Sequence, residues 1–403
     1  MRNLKLTALV ALTMAILVWR RSDQFTHPYI WMEESWMLRE YASDGLSAVF
    51  GTVNGFPQLV ARVLAVTSYK VAIFAAPEIG VALASAFTCF VVVSIALAPT
   101  YLRWPYACAA ATLVIPTGAE NYATVIVTFW WAGLLLPLAL LWREQRQGWR
   151  LFFIALGGLS SPIIMVLSVL FVVRALVERT RCEWIAAACA CACAATMAAT
   201  LLTTHAARSP PFGPAMRELM HFVSKFAGWF VSGSFAFNDR ALAMTAIGAV
   251  LMLIPLYLIR ERLDRHFALL VAAYALISVT TAMRVEPTAL NAFEAGPRYL
   301  FYPFILIAWA LIWIAAETSR WAKAGAIGIL VFGIVQGFTH PSFSWGHDRF
   351  DWPDILRKCA ASDNYHIPIP YAGGPASSPV RSILWQEKFT GEQCRQLIAR
   401  SLL

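Results

Sequence analysis

Two adjacent carboxylates, Glu33 and Glu34, sit in the run Trp31-Met32-Glu33-Glu34-Ser35-Trp36-Met37-Leu38-Arg39-Glu40-Tyr41. On a helical wheel the apolar residues of this run go nearly all round, so the helix is buried or lies at an interface. Burying a carboxylate is costly unless it is paired or used. A pair at a helix start bridged to Arg39 is the plain reading. The chemical reading is a general base, or a pair of oxygen ligands for Mg²⁺ or Mn²⁺. Arg298, beside Tyr299, and Arg62 are cations placed at the boundaries of apolar stretches, where a plain interfacial anchor is the alternative reading. Glu120 and Asn121 stand in a tight turn and line the same cavity or cap a helix. His205 and Lys225 are further cavity candidates, for which a helix cap and a lipid-facing amphipathic segment are the alternatives.

The elements that must position these groups are set by composition. The chain has 403 residues, 59% hydrophobic and 14% charged, with a mean hydropathy of +0.61. An ordinary soluble domain has roughly 25% charged residues. This balance excludes a soluble enzyme, a disordered chain and a nucleic-acid module. The formal charge of +9 falls mostly in short clusters between apolar stretches, the pattern of a multi-pass membrane protein. The fold class expected is all-α and polytopic, with about eleven spans near 4–18, 79–98, 106–116, 122–142, 150–159, 163–177, 184–203, 240–259, 267–283, 299–317 and 323–339.

Arg103; Arg143, Arg146 and Arg150; Arg174, Arg179 and Arg181; Arg260, Arg262 and Arg265; and Arg320 with Lys323 then fall in short loops on one side. The positive-inside rule puts that side in the cytoplasm, with the N-terminus inside and the C-terminus outside. Nearly all remaining polar chemistry falls on the outer side: loop 19–78 with interfacial helices, loop 204–239, loop 284–298 and a tail at 340–403. The helix following Gly55-Phe56-Pro57 carries Arg62 and Lys70, read as cations that snorkel to the interface. The first apolar stretch runs into Trp19-Arg20-Arg21 without a small-residue cleavage site and is expected to stay as an anchor.

The tail divides from a transmembrane region at 1–339 and is rich in turn-prone sequence, with Trp352 and Trp385 as a small core. Cys359 and Cys394 are its two cysteines, in an oxidising compartment by this topology, and are expected to form a disulfide. Cys189, Cys191 and Cys193 read as small packing residues in a helix.

An acidic pair just after the first span, Trp31-Met32-Glu33-Glu34, is followed by Gly55-Phe56 and then by Arg62. Further on come Glu120-Asn121 with Trp130, Leu159-Ser160-Ser161-Pro162, and Gly296-Pro297-Arg298-Tyr299. Their order resembles that of bacterial GT-C membrane glycosyltransferases over most of the chain. Many members carry Glu-Asp or Asp-Asp where this chain has Glu-Glu, which leaves the base open between Glu33 and Glu34. The resemblance implies an inverting sugar transfer at the periplasmic face of a bacterial inner membrane. The donor would be a polyprenyl-phosphate-linked sugar, with Arg298, Tyr299 and Arg62 implied as the groups that meet its phosphate as charge develops. The acceptor would be an envelope glycan or a lipid-linked glycan, and some members use a divalent metal. An O-antigen polymerase or ligase would rely on outer-loop Arg and His instead. A transporter or flippase would place charges at mid-span, where this chain has almost none.

Overall fold

Proline and the residue before it punctuate much of the helical pattern. The computed structural model describes residues 2–53, 55–204, 264–284, 296–317, 320–339, 345–375 and 382–403. Helix α1 (Arg2–Arg20) leads into the short α2 (Ser22–Thr26), α3 (Met32–Asp44) and α4 (Leu59–Val71). Helix α5 (Ala76–Leu97) starts with Pro77 in its first turn and stops where Ala98 turns extended before Pro99. Helix α6 (Pro105–Val114) ends the same way, at Ile115 before Pro116. A break at Leu134 separates α7 (Thr128–Gly133) from α8 (Leu135–Leu140). Pro137 explains it, because its ring excludes the helical carbonyl four residues back, at Gly133.

Helices α9 (Gly148–Gly158), α10 (Ile164–Glu178) and α11 (Arg181–Thr203) follow, then α12 (Arg265–Arg284), α13 (Phe301–Glu317) and α14 (Arg320–Thr339). The tail adds β1 (Trp345–Gly346), α15 (Trp352–Ala360), β2 (Tyr365–Pro375), β3 (Ser382–Phe389) and α16 (Gly391–Arg400).

Among the described residues, five helical segments are long and apolar enough to cross a membrane: Asn3–Arg20, Ile73–Leu97, Arg181–Thr203, Arg298–Glu317 and Arg320–Thr339. Shorter apolar helices cover Pro105–Val114, Thr128–Leu140 and Arg265–Thr281. The expected span 240–259 lies outside the described residues. The elements run back and forth between two ends. At one end the basic loops meet: Arg143 N donates to Pro99 O at 2.8 Å, Arg103 pairs with Glu317 at 2.6 Å and Arg265 with Glu178 at 3.1 Å. Helices α9 and α10 run as a hairpin, since Arg150 at the start of one and Arg174 near the end of the other both reach Glu183 at this end.

The opposite end carries the 19–78 loop, the turn 115–127, the turn 159–162 and the tail. The tail is not a separate small core. Trp352, Leu356, Ile367, Ile369, Phe389 and Leu397 share one buried cluster with Tyr29, Trp31, Met37, Leu38 and Tyr41 of the first loop. Trp352 Nε1 donates to Ile73 O at 2.8 Å, Lys70 Nζ to Arg400 O at 2.9 Å, and Leu402 N to Lys70 O at 2.8 Å. The side chain of Trp385 lies outside the described residues.

The tail sequence, expected to be irregular, folds as an antiparallel hairpin between two helices, with Ile369 opposite Trp385. Pro368 and Pro370 stand two apart, so their missing N–H groups fall on one edge of β2. Ile367 and Ile369 face inward. A disulfide joins Cys359 of α15 to Cys394 of α16 across a Cα–Cα distance of 5.9 Å.

Candidate functional site

Between α6 and α7 the chain runs from Ile115 to Val127 without a long helix. Non-helical backbone packed among apolar helices must find its partners inside the protein. Arg20 supplies two, donating to Thr117 O and Ile115 O at 2.7 Å each. Arg21 donates to Tyr122 O at 3.2 Å and is itself held by Asp23 and Tyr29. Trp131 Nε1 donates to Asn121 O at 2.7 Å. The end of the first helix therefore fixes a short turn, Ala119–Asn121, that carries Glu120.

The acidic pair splits. Glu34 is the third residue of α3, and its Oε2 accepts Trp31 N at 3.0 Å, the carboxylate half of a capping box; the Trp31 indole is a donor only and returns no bond. Its Oε1 accepts Ile126 N at 2.9 Å, tying α3 to the 115–127 segment. Burial pushes the Glu34 carboxyl up to about 7, against the opposing pull of the Trp31, Ile126 and Val125 N–H groups. Both oxygens are thus committed to backbone, and Glu34 does not line the cavity described next. The sequence leaves the base open between Glu33 and Glu34; of the two, only Glu33 lines that cavity.

Glu33, one residue earlier, faces a cavity of about 570 Å³. A volume of this order is typical of small-molecule sites. At one side of it Arg298 Nη1 lies 3.8 Å from Glu33 Oε1 and 3.7 Å from Glu120 Oε2. Arg298 Nη2 also donates to Tyr299 OH at 3.2 Å, with the guanidinium 5.0 Å from that ring's centre. Both carboxylate contacts are longer than hydrogen bonds. Glu33 Oε2 and Glu120 Oε1 are buried and have no hydrogen-bond partner among the described residues. Burial pushes the Glu120 carboxyl up to about 7, with Arg298 pulling it down and Glu33 pushing it further up. One cation thus sits between two incompletely satisfied acids.

The rest of the lining is neutral. Trp130 packs its ring 5.1 Å from Tyr302 and 6.2 Å from Tyr299. Ser161 and Tyr302 share a 2.9 Å hydrogen bond, and Gln58 adds an amide. Ile163, Met165, Val166, Leu201 and Ile277 make much of the lining apolar. Trp130 and Ser161 stood among the sequence pieces noted above. Gln58 and Tyr302 did not; Gln58 follows Pro57, and Tyr302 falls one turn after Arg298, which is the spacing signal for a shared face.

Several expected roles move. Arg62 is fully buried and bonds Glu40 at 2.5 Å and Ala48 O at 2.6 Å, so it knits α3 to α4 and takes no part in the cavity lining. Lys70 likewise holds the tail rather than reaching outward. Asn121 is buried outside the cavity lining, with its amide unpartnered among the described residues. His205 and Lys225 lie outside the described residues.

Glu33 and Glu34 do not fit a shared divalent metal, because Glu34 spends both oxygens on N–H donors and Arg298 lies against Glu33. Among the described residues no group of three or more His, Cys, Asp or Glu is placed to hold a metal ion. Comparison of the chain with protein-family models, with curated proteins and with solved structures finds no match.

Proposed function

We propose that this protein is a polytopic membrane glycosyltransferase of GT-C type. It moves a sugar from a polyprenyl-phosphate donor to a cell-envelope glycan on the periplasmic side of a bacterial inner membrane. The chain crosses about eleven times, with its N-terminus in the cytoplasm and its tail in the periplasm. The observation that carries the reading is the meeting of Glu33, Glu120 and Arg298 in the lining of a cavity that is otherwise largely apolar. An amphipathic, charged-headed lipid matches that mixture of charged and apolar lining.

In this reading the donor phosphate takes the place beside Arg298, and the lipid chain runs along Ile163, Met165 and Val166. An acceptor hydroxyl gives its proton to Glu33 as its oxygen attacks the anomeric carbon. The bond from that carbon to the phosphate oxygen breaks, and polyprenyl phosphate leaves with the electron pair, its charge met by Arg298. A single displacement of this kind inverts the anomeric centre. Glu120 holds Arg298 in position.

The test compares the two halves of the acidic pair. Transfer of radiolabelled sugar from polyprenyl-phosphate donors is measured in membranes at matched protein level. Glu33→Gln is expected to lose about 10²- to 10⁴-fold. Glu34→Gln is expected to lower the melting temperature while the folded fraction keeps its chemistry. Full transfer in Glu33→Gln removes this mechanism.

A further inference from the structure

Gln58 is an odd residue for the start of a helix. Its backbone is left-handed, with φ 48° and ψ 47°, a conformation that costs a non-glycine residue energy and persists where surroundings enforce it. Its side chain makes no capping hydrogen bond to α4. The enforcement comes from the next two residues. Leu59 N donates to Leu159 O and Val60 N to Ser160 Oγ, each at 3.1 Å, which docks the start of α4 on the 159–162 turn. Gln58 is 4% exposed, lines the cavity, and leaves its Oε1 buried without a hydrogen-bond partner among the described residues. A buried amide oxygen left unmade is costly.

Besides the charged trio, Gln58 shares the cavity lining with the neutral polar and aromatic side chains of Ser161, Tyr302 and Trp130. Ser161, on the turn that α4 docks against, shares its hydroxyl with Tyr302. The Tyr302 ring in turn lies against Trp130. An uncharged amide, two hydroxyls and an indole face suit a ligand that is itself uncharged and covered in hydroxyls, with C–H groups to lay on an aromatic ring. A ring bearing an acid would instead bring its carboxylate toward the orphan oxygens of Glu33 and Glu120. We propose that Gln58, with Ser161, Tyr302 and Trp130, seats the transferred sugar, and that this seat selects a neutral sugar over an acidic one. The inference rests on the donor-site reading given above and assigns Gln58 as a specificity residue.

The experiment uses the full chain in nanodiscs and measures binding of farnesyl phosphate alone and of farnesyl-phosphoryl glucose, galactose, mannose, N-acetylglucosamine and glucuronate. At least one neutral sugar probe is expected to bind more tightly than farnesyl phosphate, and the glucuronate probe more weakly than that one. Gln58→Gly relieves the left-handed backbone and removes the amide. It is expected to weaken the preferred sugar probe about five- to tenfold while farnesyl phosphate binding and the melting temperature hold. An unchanged sugar preference in Gln58→Gly overturns the proposal, as does tightest binding of the glucuronate probe or an equal loss for farnesyl phosphate. Failure of farnesyl phosphate to bind, or binding insensitive to Arg298→Ala, instead brings down the donor-site reading and this inference with it.

Discussion

Two arginine–carboxylate clusters occupy opposite ends of the molecule, and they are built differently. At the basic end Glu183 takes Arg150 at 2.7 and 2.9 Å and Arg174 at 2.9 Å. Arg150 also donates to Ala139 O at 3.0 Å, and Arg174 to Trp142 O at 2.6 Å and to Leu140 O. At the other end Arg298 stands 3.7 and 3.8 Å from its acids, beside a cavity, and two carboxylate oxygens have no hydrogen-bond partner among the described residues. The same residue types serve two purposes. A cluster in which nearly every group is bonded closes three helices against one another. A cluster with spare hydrogen-bonding capacity facing a cavity is built to meet a ligand.

The largest expected effect tests the first half of this contrast. Glu183→Ala leaves Arg150 and Arg174 buried without their acid, which costs about 3–5 kcal/mol. The variant should be lost from the folded fraction in detergent, read by size-exclusion chromatography and thermal melting. A well-folded Glu183→Ala protein breaks the contrast. The second effect is on activity alone. Arg298→Ala should cut sugar transfer about 10²- to 10³-fold while its melting temperature stays near that of the parent. Arg298→Lys should recover part of the loss if charge alone is needed, and none if the planar fork is. A large fall in stability instead would make the outer cluster structural like the inner one.

The smallest effect is a pH dependence. Burial holds the carboxyls of Glu34 and Glu120 near 7 rather than the usual 4.5. Between those values the folded protein keeps protons that the unfolded chain has released. Their contribution to stability is therefore greatest below about 4.5, falls as pH rises towards about 7, and levels off above. Glu120→Gln should flatten part of that fall in melting temperature and leave the share due to Glu34. An unaltered slope would place Glu120 in a wetter setting than its burial gives it.

Much of this organisation was readable from residue patterns, and the limits have physical causes. Apolar length marked out many of the helices, and the alternating basic loops gave the two-ended layout. Glu33, Glu120, Trp130, Ser161 and Arg298, singled out in the sequence, all line the cavity. What pattern could not do was orient neighbours. Glu33 and Glu34 are the same residue type one position apart, and a backbone capping contact decides which one turns inward. Arg62 looks like a cation on a greasy helix, but Glu40 lies 22 residues earlier and only tertiary contact brings it near. The tail looked irregular because Pro368 and Pro370 discourage a strand, yet an edge admits both.

The clasp between the first loop and the tail also bears on how the molecule is made. Lys70 and Arg400 are 330 residues apart in sequence, and the loop's buried cluster includes the tail's Trp352, Phe389 and Leu397. On a ribosome the loop emerges early, while the surface that completes its core is translated near the end. For most of synthesis the loop's apolar residues lack their partners, as a nascent chain's unfinished domain does. The wall carrying Glu33 therefore closes last, and nascent chains halted before α16 should carry an open, protease-sensitive first loop beside transmembrane helices already in place.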